Sequence, residues 1–159
     1  MYHNNLKFYY RKLINKFSKY PIIYNQGFEL NKILSFHKIN LILDIGAYTG
    51  TYAQSLRRFG YTKEIISFEP IKESYDALLI NSSKDKMWHI HERVALGNEN
   101  KIIKINISKK KDSSSILKIK KNHLKLEPDS KIIKNEKVNM VKLDKIIKKY
   151  VNKKNSYLK

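Results

Sequence analysis

The chain has 159 residues, 42% hydrophobic and 30% charged, which is enough for one domain with its own core and too apolar for wholesale disorder. It contains no cysteine, excluding disulfides and thiolate metal sites and fitting a reducing, cytoplasmic compartment, and no apolar run approaches the ~20 residues of a bilayer span. The net charge of +19 gathers in residues 98–159, with 19 of the 33 basic and 6 of the 14 acidic side chains, as Lys interleaved with Ile and Asn.

Taken in chain order, Leu6, Tyr10, Leu13, Ile14 and Phe17 form a helical stripe, and Pro21 is expected to end that helix. Its basic, amphipathic character could suit an anionic membrane surface, but the favoured reading is a helix that packs its stripe on the sheet or on an adjacent domain. Phe28, Leu30, Ile33, Leu34 and His37 predict a second short helix, completing an N-terminal helical segment over 1–39.

Leu41-Ile42-Leu43-Asp44 then reads as a buried parallel strand ending in an acid, followed by Ile45 and the loop Gly46-Ala47-Tyr48-Thr49-Gly50. A side chain at Gly50 is expected to hold a ligand away from the helix that follows. Tyr52, Ala53, Leu56 and Phe59 give that helix an apolar face, and Gly60 stops it. Ile65 to Phe68 predict a second strand closed by Glu69, and Pro70 suits the start of the next helix, with Tyr75, Leu78 and Leu79 buried.

Strand, turn and helix thus repeat, which calls for a right-handed parallel crossover sheet with its ligand site at the carboxyl ends of the strands. Asp44 and Glu69 both stand there, at close to the spacing of about 20 residues by which dinucleotide folds place an acid on ribose hydroxyls. The loop has one fewer glycine than a pyrophosphate cradle. It suits an adenosine ligand with an amino-acid tail and no phosphate, the shape of S-adenosylmethionine. Alone the loop fits a plain strand-to-helix turn; joined to Phe68-Glu69-Pro70, the ligand reading is the better one.

Further on, Met87 to Val94 predict a third strand, with Trp88 and Ile90 on one face and His89 and His91 on the other. Two such histidines open a metal site only if a third ligand follows. None does at a convincing spacing, so no metal is expected and both rings should face solvent or pack among polar groups. Lys101 to Ser108 alternate as a half-exposed strand, Lys109 to Asn135 read as a loop or insertion, Val138 to Leu143 as a strand, Asp144 as a helix cap and Lys145 to Val151 as a helix. Ser113-Ser114-Ser115 has no glycine elbow and no ordered His and acid, which rejects a hydrolase.

The sequence resembles the FkbM family of S-adenosylmethionine-dependent methyltransferases. The resemblance runs through Asp44-Ile45-Gly46-Ala47-Tyr48-Thr49-Gly50-Thr51-Tyr52-Ala53, Ser67-Phe68-Glu69-Pro70, Val94-Ala95-Leu96-Gly97, Ser113 to Leu117 and Val138 to Asp144. It implies an α/β, Rossmann-like class I methyltransferase fold with helices on both faces of a parallel-sheet half, in a domain over 40–159. Asp44, from its strand-end position, is expected to help hold the cofactor; by resemblance Gly46, Ala47, Tyr48 and Gly50 line its methionine side, Glu69 holds the ribose, and Ala95 and Leu96, in a turn after the third strand, lie by the adenine. Ser114 and Ser115 would sit near the pocket mouth. Tyr48 stands where the family usually carries Asn, a change that a backbone contact can survive.

The family also continues beyond a Tyr157-Leu158-Lys159-like strand into an Ile-Asp-x-x-Gly-x-Glu segment. The chain therefore reads as the N-terminal part of such an enzyme, with C-terminal strands missing and one edge of the central strand left without a neighbour. The activity implied is O-methylation of a sugar, glycan or other small hydroxyl acceptor, with the base unassigned. The alternative is a non-enzymatic basic module that binds RNA or an anionic surface. No Arg-aromatic cluster or RNA-binding motif supports it, and AT-biased coding explains the lysines as well.

Overall fold

The computed structural model describes residues 21–109, 131–151 and 156–158. In chain order these form α1 (Pro21–Phe36), β1 (Leu41–Ile45), α2 (Thr51–Arg58), β2 (Glu64–Phe68), α3 (Lys72–Ser82), β3 (Trp88–Ile90), β4 (Ala95–Gly97), β5 (Lys101–Ser108), β6 (Ile132–Lys142), α4 (Leu143–Val151) and β7 (Ser156–Leu158). The expected α/β architecture is present: β3, β2, β1 and β7 make an all-parallel sheet in that order. Chain order reverses between β1 and β7, so the switch point of a doubly wound sheet lies beside β1.

Side chains alternate across these strands, and both faces are apolar because both are covered. Ile42 and Ile65 face a cluster with Leu34 of α1, Ala53 and Leu56 of α2, Leu78 of α3 and Trp88. Leu41, Leu43, Ile66 and Phe68 face the other way, against Val94 and the half-buried Ile146, Ile147 and Tyr150 of α4. Arg57 fastens the first layer: its guanidinium donates to Asp85 (2.6 Å) and to the carbonyls of Tyr61, Lys63 and Met87, locking the approaches to β2 and β3. Burial pushes the Asp85 carboxyl up, but the Arg57 and Met87 N–H groups prevail and hold it below its ordinary value.

A second sheet departs from the expected single one. β4 pairs with β6 in parallel and β5 pairs with β6 antiparallel. Ile103, Ile105 and Ile107 turn inward with Val138 and Met140, and this core also takes in Ala95 and Ile71.

Several boundaries shift for physical reasons. Pro21 opens α1, as its fixed φ and missing N–H allow, and whether a helix ends before it lies outside the described residues. The segment expected as one strand from Met87 to Val94 leaves the parallel sheet after Ile90 and re-enters pairing at Ala95 in the second sheet. His91 marks the departure: it is buried and stacked on Phe68 at 5.0 Å, its ring against Tyr150 and its Nδ1 2.9 Å from the Glu92 carbonyl oxygen, while His89 is exposed. Ala95 and Leu96 are accordingly strand residues, not a turn. β6 starts at Ile132, well inside the expected loop, because antiparallel pairing to β5 extends it. Asp144 falls in the first turn of α4 rather than capping it. β7 supplies the neighbour that the central strand was expected to lack. The helix expected over Leu6 to Phe17 and the serines at 113–115 lie outside the described residues.

Candidate functional site

β1 and β2 run in parallel register with Asp44 opposite Ser67 and Ile45 opposite Phe68, so both acids reach the same end of the sheet. Asp44 is fully buried and accepts from Ser67 Oγ at 3.3 Å; Ser67 Oγ in turn accepts the Trp88 indole N–H at 2.9 Å. Glu69, one residue past β2, is 4% exposed. Its Oε2 accepts the Tyr48 N–H at 2.7 Å and its Oε1 the Ile71 N–H at 2.9 Å, so one carboxylate joins the glycine loop to the approach of α3. Burial pushes the Glu69 carboxyl above its ordinary 4.5; the two N–H groups oppose that rise, and the nearby charges of Asp44 and Glu136 add to it.

The loop between the acids is pinned from three sides. The Gly46 and Ala47 N–H groups donate to the Phe68 carbonyl (2.9 and 3.0 Å), Tyr48 donates to Glu69, and the Thr49 carbonyl accepts from Asn81 Nδ2 at 2.8 Å. Its two glycines do different work. Gly46 is exposed, and a Cβ there would meet nothing within 4 Å, leaving its face open for a ligand. Gly50 turns inward instead: a Cβ would run into the Trp88 ring and Leu78 Cδ1 (2.8 Å). Core packing by itself thus requires a glycine at position 50, whereas the space beside Gly46 is open.

Tyr48 has φ +54°, the left-handed region that disfavours a side chain and that Asn tolerates better. Backbone geometry alone therefore accounts for an Asn preference here. Tyr48→Asn is expected to raise stability by about 1 kcal/mol, read from the midpoint of urea unfolding. A lowered midpoint would show that the Tyr48 ring contributes more packing than its backbone costs.

Three groups beside the acids escaped the sequence reading. Tyr52, taken only as part of an apolar face, hydrogen-bonds Tyr157 of β7; burial first, then Tyr157 and Asp44, push its hydroxyl above its ordinary value. Glu136 accepts the Lys72 N–H at 3.0 Å from across the second sheet, and Arg93 pairs with Glu136 while donating to the Pro70 carbonyl at 3.1 Å. Along β6 Glu136 is in phase with the inward-facing Val138 and Met140, and a charge on that apolar face is the one local signal that could have found it. Ala95 and Leu96 stand farther round: Ala95 packs in the cluster containing Ile71, and Leu96 packs against the cluster containing Phe68. No group of three metal-ligating side chains occurs among the described residues.

A family model described as "Methyltransferase FkbM domain" matches residues 44–159, beginning at Asp44 itself. No curated protein and no solved structure matches the chain.

Proposed function

The chain belongs to the FkbM methyltransferase family, and from that premise we propose that it binds S-adenosylmethionine at the carboxyl ends of β1 and β2 and methylates a hydroxyl of a small acceptor such as a sugar or glycan. The observation that carries this reading is the buried Glu69 carboxylate next to the open face of Gly46, with Asp44 behind them. An ionised carboxylate accepts both hydroxyl protons of a ribose. The backbone over Gly46, Ala47 and Tyr48 offers a surface for the methionine end, and the core-packed Gly50 keeps that surface in place. Ala95 and Leu96 serve the adenine side in this reading. The cysteine-free sequence agrees with a cytoplasmic setting, and no helix among the described residues is long and apolar enough to cross a membrane.

When bound, the cofactor supplies a methyl group already activated by a sulfonium charge. What the protein adds is mainly position, because holding the acceptor oxygen in line with the methyl converts a bimolecular encounter into a near-unimolecular step. Tyr52, with its hydroxyl pushed up, keeps its proton at neutral pH and through its bond to Tyr157 ties α2 to β7 at the switch point beside β1.

The test is calorimetric titration with S-adenosylmethionine across pH. Ribose recognition needs Glu69 ionised, and its carboxyl is raised above 4.5. Affinity should therefore weaken on acidification at a higher pH than an ordinary carboxylate would give, and be fully present above the raised value. For folding the sign is opposite: the apo protein gains stability from protonated Glu69 below pH 4.5 and loses it as pH rises through the raised value. Absence of binding heat at any pH, with RNA bound in a salt-dependent manner instead, would replace the enzyme by a basic binding module.

A further inference from the structure

We propose that Arg93 and Glu136 are positioning residues for the cofactor acid, through which the second sheet sets where the Glu69 carboxylate points. The inference rests on the reading of Glu69 as the ribose acceptor and goes beyond it by naming what holds Glu69 in place.

The two peptide groups that join Pro70 to Ile71 and Ile71 to Lys72 are both held by charged side chains. The Pro70 carbonyl accepts from Arg93 (3.1 Å), the Ile71 N–H donates to Glu69 itself (2.9 Å), and the Lys72 N–H donates to Glu136 (3.0 Å). Arg93 and Glu136 are also paired with each other, each about three-quarters withdrawn from solvent. The span from Glu69 to Lys72 is thus gripped at both ends, and Glu69 spends one oxygen on that span and the other on the Tyr48 N–H.

A helix start needs a hydrogen-bond acceptor, but the ordinary solution is a Ser, Thr, Asp or Asn at the residue before the helix. Here that residue is Ile71, which has no such side chain and sits instead in the second core. The acceptor comes from β6, 64 positions away in sequence, and brings its counter-cation from the segment between β3 and β4. The arrangement carries information from one sheet to the other, because any displacement of β6 moves Lys72, Ile71 and so the carboxylate. It also sets the charge around Glu69. The charged groups there are Asp44 from β1 and Glu136 from β6, the latter neutralised by Arg93, against the N–H groups of Tyr48 and Ile71.

Calorimetric titration of the full chain with S-adenosylmethionine across pH tests this with Arg93→Gln, Arg93→Lys and the near-isosteric Glu136→Gln. Arg93→Gln is expected to weaken binding about tenfold, with Arg93→Lys recovering most of the loss. The acid midpoints should move in opposite directions: to higher pH in Arg93→Gln, which leaves a bare carboxylate near Glu69, and to lower pH in Glu136→Gln, which removes one. A purely structural pair would lower the melting temperature of both variants without opposed midpoint shifts. The proposal is overturned if the parent binds and both Gln variants match it within twofold with unmoved midpoints. A parent that binds no cofactor overturns the site reading and this inference together, whereas opposed midpoint shifts in the two Gln variants against a binding parent support both.

Discussion

Replacing Glu69 by alanine should weaken S-adenosylmethionine binding by at least a hundredfold. Two losses combine. The ribose loses an ionised acceptor, and hydrogen bonds to charged groups contribute about 1.5–3 kcal/mol each. The Tyr48 and Ile71 N–H groups lose their shared acceptor as well, and a donor left unsatisfied in a buried place costs about 1–3 kcal/mol. The second loss falls on the loop that presents the cofactor surface, so the alanine variant should bind poorly even where the rest of the pocket is intact. Glu69→Gln separates the contributions. It retains one oxygen but sets an amide N–H against one of the two backbone donors, and its affinity should fall between parent and alanine with the acid midpoint abolished. Calorimetry gives the affinities, and a thermal melt without ligand shows whether the fold survives. An alanine variant that is folded and binds within threefold of the parent would remove Glu69 from the site.

Gly50→Ala should destabilise the fold by about 2–5 kcal/mol, combining a left-handed backbone cost of about 1–2 with an overpacking cost of about 1–3. The φ of +88° brings the first cost, and the Trp88 and Leu78 side chains bring the second. Trp88 has little freedom to retreat. It is 5% exposed, and its indole N–H is held by Ser67, which is itself tied to Asp44. Yielding to the new methyl would disturb the bonded row that ends at the first acid. A loss of this size is a large part of the roughly 5–15 kcal/mol that keeps a domain folded. Gly46→Ala is the internal control. Its φ of +73° brings the backbone cost, but open space lies where the methyl would go, so it should lose only about 1–2 kcal/mol of stability and show its main defect in cofactor binding. Guanidinium unfolding of the two variants decides the matter, and equal losses would contradict the division of labour between the glycines.

The sheet half that carries the site was legible because its signals are local. Leu41 to Asp44 and Ile65 to Glu69 announce buried parallel strands by mainly apolar runs, and their acids by position at the ends. The second sheet was not, since β4 has only three residues and β6 is extended by a partner across an intervening segment. Met87 to Val94 kept an apparent strand rhythm through His91, yet that ring stacks on Phe68 and the chain changes sheets around it. Arg93 and Glu136 escaped the sequence reading because their meaning depends on partners 23 to 64 positions away.

Sequence alone therefore determined the parallel α/β character, the family motif, and the acids and glycines of the loop, because burial period, turn chemistry and strand-end position are properties of neighbouring residues. Tertiary structure decided which glycine has open space where a Cβ would stand, what Tyr52 and Tyr157 share, and how the second sheet reaches Glu69. Those depend on the direction in which a Cα–Cβ bond points once the layers have packed, a quantity that no local pattern contains.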